Sequence, residues 1–138
     1  MATRRKPRLT AQDVDIMFRI AELYNTDYDF QATEWFWGRF HERTIEEFTS
    51  KYAPGSREYQ FFERITSKFE LAGLLVEKGF LSEELFFDRY GPMQAEWEKC
   101  KSIIYGLREK WKEPRHRANF ELLAERGKKW HAKHRSKK

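Results

Sequence analysis

Residues 93–111 read Met-Gln-Ala-Glu-Trp-Glu-Lys-Cys-Lys-Ser-Ile-Ile-Tyr-Gly-Leu-Arg-Glu-Lys-Trp. Within them Met93, Trp97, Cys100, Ile104, Leu107 and Trp111 recur at spacings of 4, 3, 4, 3 and 4, and most intervening positions are charged or polar. Such spacing returns to the same side of a 3.6-residue helix, so the stretch predicts one helix burying one seam. Pro114 breaks it.

The same period extends in both directions. Phe62, Ile65, Phe69, Ala72 and Val76 predict a helix over 57–78, capped by Ser56 after Pro54-Gly55 and stopped by Gly79. Ser82-Glu83-Glu84 opens a short helix over Leu85, Phe86 and Tyr90, and Pro92 suits the first position of the next helix. Near the start, Thr10 is an N-cap with Asp13 three residues on. Val14, Met17, Phe18, Ala21 and Tyr24 form one apolar strip there, and Ile16, Ile20 and Leu23 a second, which predicts packing on two sides. Residues 29–52 are helical in pattern. Thr44-Ile45-Glu46-Glu47 reads as a capping box that would split them, yet no Gly or Pro intervenes, so one helix or two are both open. A last helix carries Phe120, Leu123 and Trp130 into a basic end. No run alternates with period two long enough to argue a sheet. The expectation is an all-α fold: a single-domain bundle of about five to six helices over 10–126, between a basic arm (1–9) and a basic tail (127–138).

Aromatic residues make up 17% of the 138 and charged residues 36%. That ring content excludes a disordered chain and predicts a core built from large side chains, among them Phe62, Ile65, Phe69, Met93, Trp97, Cys100, Ile104, Leu107, Trp111, Phe120 and Leu123. The net charge of +5 conceals an asymmetry. Arg4, Arg5, Lys6 and Arg8 stand in the first eight residues without an acid, and Arg126, Lys128, Lys129, Lys133, Arg135, Lys137 and Lys138 stand after position 125 without one. Those 11 bases leave 16 against all 22 acids, so the body carries −6. Basic ends on an acidic body point to an anionic partner. The longest strongly apolar run, Leu71 to Val76, is far short of the ~20 residues that span a bilayer. A single cysteine, Cys100, and a polar N-terminus without an apolar signal segment predict a soluble cytoplasmic protein, with a membrane-peripheral location as the alternative.

Catalytic and metal chemistry finds little support. Asn25-x-Asp27-x-Asp29 opens like a calcium loop, but Phe30 and Phe36 stand where Gly and Glu are required. Glu113-x-x-His116 has half of a di-iron pattern, interrupted by Pro114 and without a second copy. His131 and His134 lie among Lys129, Lys133 and Arg135, which would repel a cation. His41 and Glu42 are adjacent and do not face each other on a helix. Cys100 in an apolar seam is an inert thiol, and no phosphate-binding loop or nucleophile elbow occurs. No metal, cofactor or catalytic residue is predicted.

Phe69-Glu70-Leu71-Ala72-Gly73-Leu74-Leu75 with Gly79, then Trp97, Ile104 and Arg108, and finally Asn119-Phe120-Glu121-Leu122-Leu123-Ala124-Glu125-Arg126 carry a resemblance. Over roughly residues 60–126 the chain is similar to the bacterial family catalogued as domain-of-unknown-function 4760; residues 1–55 match more loosely. The resemblance implies an all-α fold and brings no assigned activity or catalytic residue. It also implies a membrane tether through an N-terminal apolar helix, as in many members, from which the basic arm departs. Arg108, beside the seam, would need a carboxylate partner.

The functional expectation is a non-enzymatic binding or adaptor domain whose basic ends contact an anionic partner such as nucleic acid. Three alternatives stand beside it. Trp130 among Lys128, Lys129 and Lys133 has the residue mix of an interfacial membrane helix. Trp35, Phe36 and Trp37 wrap more than half a helix turn, so one of them should be exposed or cover a neighbouring element, and an exposed Trp in an apolar patch would mark a protein-binding surface. A cluster of carboxylates facing a cleft would favour an enzyme.

Overall fold

Every helix start in this chain needs acceptors for backbone N–H groups that have no partner within the helix. In the computed structural model, which describes residues 9–135, most of those acceptors come from the residue just before each helix. Thr10 caps α1 (Ala11–Leu23) and Thr26 caps α2 (Asp27–Gly38), each in a reciprocal box with Asp13 and Asp29 respectively. Thr44 caps α3 (Ile45–Lys51), so residues 29–52 hold two helices. The Glu47 carboxylate reaches back to the Arg43 N–H at 2.9 Å, one residue before the cap itself. Ser56 caps α4 (Arg57–Glu77) and Ser82 caps α5 (Glu83–Tyr90). The two remaining helices, α6 (Gln94–Trp111) and α7 (Ala118–Arg135), follow Met93 and Arg117, neither of which has a side-chain acceptor.

α7 borrows its cap from α4. Glu70 Oε1 accepts from the backbone N–H of Asn119 and of Phe120, both at 3.0 Å, and Oε2 accepts from Asn119 Nδ2 at 2.9 Å. A carboxylate there also meets the positive end of the helix dipole. The neighbouring Arg117, at a left-handed φ of 58°, donates from Nε to Thr66 Oγ1 at 3.0 Å. Contact between the two helices is close enough that a β-carbon on Gly73 would lie 2.0 Å from the Asn119 carbonyl oxygen. Farther along, a β-carbon on Gly127 would lie 1.9 Å from the Pro92 carbonyl oxygen, so α7 also fixes the entry to α6.

α4 runs through the middle of two ring clusters. On one side Phe62 meets Phe40 and Phe48 at 5.7 and 4.9 Å, with Trp35 stacked on Phe40 at 5.0 Å. On the other, Phe69 meets Phe120 at 5.2 Å, and Trp97 meets Phe120 edge-on at 5.1 Å. Burying such a ring contributes about 1.5–3 kcal/mol relative to leaving it in water. The described residues are all-helical, with seven helices where about five to six were expected. The aromatic core is present as read from the sequence.

Several details differ from the sequence reading. Trp111 is 46% exposed, because it ends α6 in a stretch that the later-starting α7 does not cover; its ring meets that of His116 in a T-shaped pair at 5.1 Å. Ile103 joins the buried seam, and Ile65 is half-buried at the rim of a cleft. Pro92 precedes α6 without entering it. α1 is covered on one side: Ile20 is buried, with Ile16, Met17 and Tyr24 half-buried, while Val14 is exposed and Phe18 is 65% exposed.

Gly73→Ala and Gly127→Ala should each destabilise the fold by about 1–3 kcal/mol, since a backbone carbonyl cannot give way as a side chain can. Gly38→Ala, whose added carbon meets nothing, should be neutral or stabilising. Urea denaturation of the three variants checks this order.

Candidate functional site

The basic residues assigned to the chain ends divide in three ways. Arg4, Arg5, Lys6, Arg8, Lys137 and Lys138 lie outside the described residues. Lys128, Lys129 and Arg135 are exposed on the last turns of α7. Lys133 is exposed on the same turns and has a contact of its own within the molecule. Arg126, which counts among the C-terminal bases, is taken by the body: it pairs with Glu77 and Glu83, both at 2.9 Å.

Trp130 is what keeps this end of α7 in place. Its indole packs on Phe87 at 5.7 Å and donates from Nε1 to Glu84 Oε1 at 2.8 Å. The His134 ring stacks on it at 4.2 Å, with Nε2 3.2 Å from the same Glu84 oxygen. The ring that an interfacial membrane helix would offer to lipid is therefore turned toward the protein. No helix among the described residues is long and apolar enough to cross a membrane.

A second feature lies where α1, α2, α4 and α6 meet: a cleft of about 170 Å³. Its polar side begins with Asp29, the capping residue of α2. Asp29 Oδ1 accepts from Arg64 Nε at 2.8 Å, and Oδ2 accepts from Arg64 Nη2 at 3.1 Å and from Thr26 Oγ1 at 2.7 Å. Burial works against this carboxylate, but the Arg64 and Thr26 hydrogen bonds outweigh it and hold its pKa below the ordinary value. Arg64 also donates to the Leu23 carbonyl and lies over the Tyr24 ring at 4.4 Å, tying the end of α1 to α4.

One turn along α4, the Lys68 ammonium sits over the Tyr90 ring at 4.7 Å, with Tyr24 and Phe69 at 5.9 and 5.8 Å. Burial pushes its pKa down, and burial pushes that of Glu96, across the cleft on the first turn of α6, up. Phe36, Trp37 and Met93 supply apolar lining. Met93 itself holds a left-handed φ of 64°, a conformation costly for a residue with a side chain, at the turn that aims α6.

Several of the other acids stand in structural pairs. Arg108 Nη2 lies 2.9 Å from Glu121 Oε1, giving Arg108 the carboxylate partner its position demands, and Glu63 faces Arg117 at 3.5 Å. Among the described residues no three His, Cys, Asp or Glu side chains come together to hold a metal. The Cys100 thiol is fully buried and burial pushes its pKa up, so it is no nucleophile at neutral pH. Of the calcium-like run Asn25-x-Asp27-x-Asp29, Asp29 closes the Thr26 box and Asp27 adds negative charge to the first turn of α2. Of Trp35, Phe36 and Trp37, the first two are buried and Trp37 is 49% exposed.

Sequence reading missed Lys68 and Glu96. Arg64 and Lys68 are spaced i, i+4 next to Ile65 and Phe69, which marks them as bases beside an apolar seam. Their acidic and aromatic partners come from other helices, and nothing local signals that.

The opposite pKa directions give opposite pH behaviour. Asp29 falls below its ordinary 3.8 on folding, so its stabilisation is complete above that value and is lost as pH falls through the lower folded pKa. Glu96 rises above its ordinary 4.5, so its ionisation costs stability above the folded pKa, and the cost vanishes on protonation. Asp29→Asn should cost about 1–3 kcal/mol at neutral pH, the deficit shrinking below pH 3.8. Glu96→Gln should raise the melting temperature at neutral pH and leave it unchanged in acid. Thermal melts across pH check both.

No curated protein and no solved structure matches the chain. A family profile described as "Domain of unknown function (DUF4760)" matches residues 9–130, from the residue before the cap of α1 to the tryptophan that anchors the end of α7. The match reaches well beyond the 60–126 segment that carries the visible resemblance, and the chain belongs to the DUF4760 family.

Proposed function

We propose that this domain is a non-enzymatic binding module that offers the basic end of α7, together with the basic N-terminal arm, to an anionic polymer, with nucleic acid as the first candidate. One observation carries the reading. Docking of Trp130 on Phe87 and Glu84 extends α7 as a helix to Arg135, past the last buried turn, with Lys128, Lys129 and Arg135 on its outer side. Lys128 and Arg135 are seven residues apart and fall on one line of the helix, about 10 Å from each other along the axis. Bases presented this way neutralise phosphates and release counterions without reading sequence. Arg126, already paired twice, adds little to such binding.

A second reading has its own observation. Phe30 is 60% exposed and Trp37 lies seven residues on along the same outer face of α2, an apolar pair of the type that protein partners cover.

Lys128, Lys129 and Arg135 by themselves should give a log–log salt slope of about −3 for duplex DNA, and engagement of further bases should steepen it. Fluorescence anisotropy at about 50 and 200 mM salt measures this. Reversing charge at Lys128, Lys129 and Arg135 should weaken binding at least about tenfold while leaving the thermal melt unchanged. Absence of binding at low salt, or binding indifferent to salt and to the three substitutions, would remove the nucleic-acid reading.

A further inference from the structure

We propose that the cleft between α1, α2, α4 and α6 binds a small zwitterion of the α-amino-acid class, its carboxylate on the Lys68 ammonium, its ammonium on Glu96, and its side group against Phe36, Trp37 and Met93.

Charge inside the cleft is balanced but not closed. Arg64 and Asp29 satisfy each other at 2.8 and 3.1 Å, and their remaining hydrogen bonds go to the Leu23 carbonyl and to Thr26. Lys68 and Glu96 are the other two charges, and they are not paired. Each feels the other's field, yet among the described residues no carboxylate lies within 4.0 Å of Lys68 Nζ, and the hydrogen bond that the Glu96 carboxylate accepts comes from its own backbone N–H. Three aromatic rings surround the Lys68 ammonium, which offsets part of its lost hydration without using its hydrogen-bonding capacity. Two partly desolvated opposite charges held apart across a cavity are a cost to the fold unless something bridges them.

The bridge must itself carry both signs. A simple anion attracted by Lys68 would meet the Glu96 carboxylate within the same small space, and a simple cation attracted by Glu96 would meet Lys68 and Arg64. A neutral dipolar molecule escapes both repulsions. Size sets a second limit. A cavity of about 150 Å³ accepts one benzene ring, so about 170 Å³ accommodates a single amino acid with a compact side group. The lining completes the match, since Phe36 is fully buried, Met93 is buried behind its strained turn, and the half-exposed Trp37 stands at the entrance. None of these groups belongs to the basic end of α7, so this site and the polyanion reading stand or fall separately.

Amide chemical-shift titration of the ¹⁵N-labelled full chain tests the site. The probes are L-valine and L-phenylalanine, with 3-methylbutanoate, which lacks the amine of valine, and isobutylamine, which lacks its carboxylate. Saturable shifts at Lys68, Glu96 and Trp37 with at least one amino acid are expected, with each single-charge analogue weaker by about tenfold or more. Lys68→Met and Glu96→Gln should each lower the affinity by a similar factor while the rest of the spectrum keeps its wild-type positions. No saturable shift with either amino acid would overturn the proposal, as would an analogue binding as tightly as valine. The analogue comparison uses the wild-type chain alone and decides the matter even where Lys68→Met perturbs folding.

Discussion

The contact between α4 and α7 is the constraint on which the rest of the structure depends. It has three parts that require one another. Gly73 has no side chain, so the Asn119 backbone can lie directly on α4. That approach brings the uncapped start of α7 within reach of Glu70, which satisfies two of its free N–H groups. Arg117, turned into a left-handed conformation just before α7, then reaches the buried Thr66 hydroxyl. A helix that follows an arginine has no local means of starting; α7 starts because α4 lies beside it. Its position in turn seats Phe120 between Phe69 and Trp97, sets Gly127 on the Pro92 carbonyl, and delivers Trp130 to Phe87.

Much of this is legible in the sequence, and the limits have physical causes. The seam from Met93 to Leu107 is visible because one helix buries one face, and periodicity reports that directly. Trp111 continues the period but not the burial, since a period says which face a residue shares and not where the neighbouring helix ends. The two apolar strips of α1 suggest cover on two sides, yet only Ile20 is deeply buried. Thr44 announces its helix correctly, and the capping of α7 by Glu70, 49 and 50 residues away, has no local signature at all. The cleft is hidden for the same reason. Lys68 and Glu96 stand on different helices, and only the fold brings them into one cavity.

Function follows the same division. The charge asymmetry of the chain ends is a property of composition, read before any fold is known, and the fold refines it by withdrawing Arg126 into the body and holding Lys128, Lys129 and Arg135 outside. The cleft is a property of packing. Its two unpaired charges sit where α4, the central helix, meets the strained turn before α6, and α7 fixes that turn through Gly127. The α4–α7 contact thus supports both the basic end and the cleft, although each would recognise a different partner.

Native-state hydrogen exchange measures that dependence most directly. If α4 and α7 form one cooperative unit, the amides of Asn119 and Phe120, two of the first three in their helix, should exchange with nearly the opening free energy of Phe69 and Ala72 in mid-α4. Exchange at these two amides orders of magnitude faster than in α4, with α7 opening as a separate unit while α4 stays closed, would contradict the account.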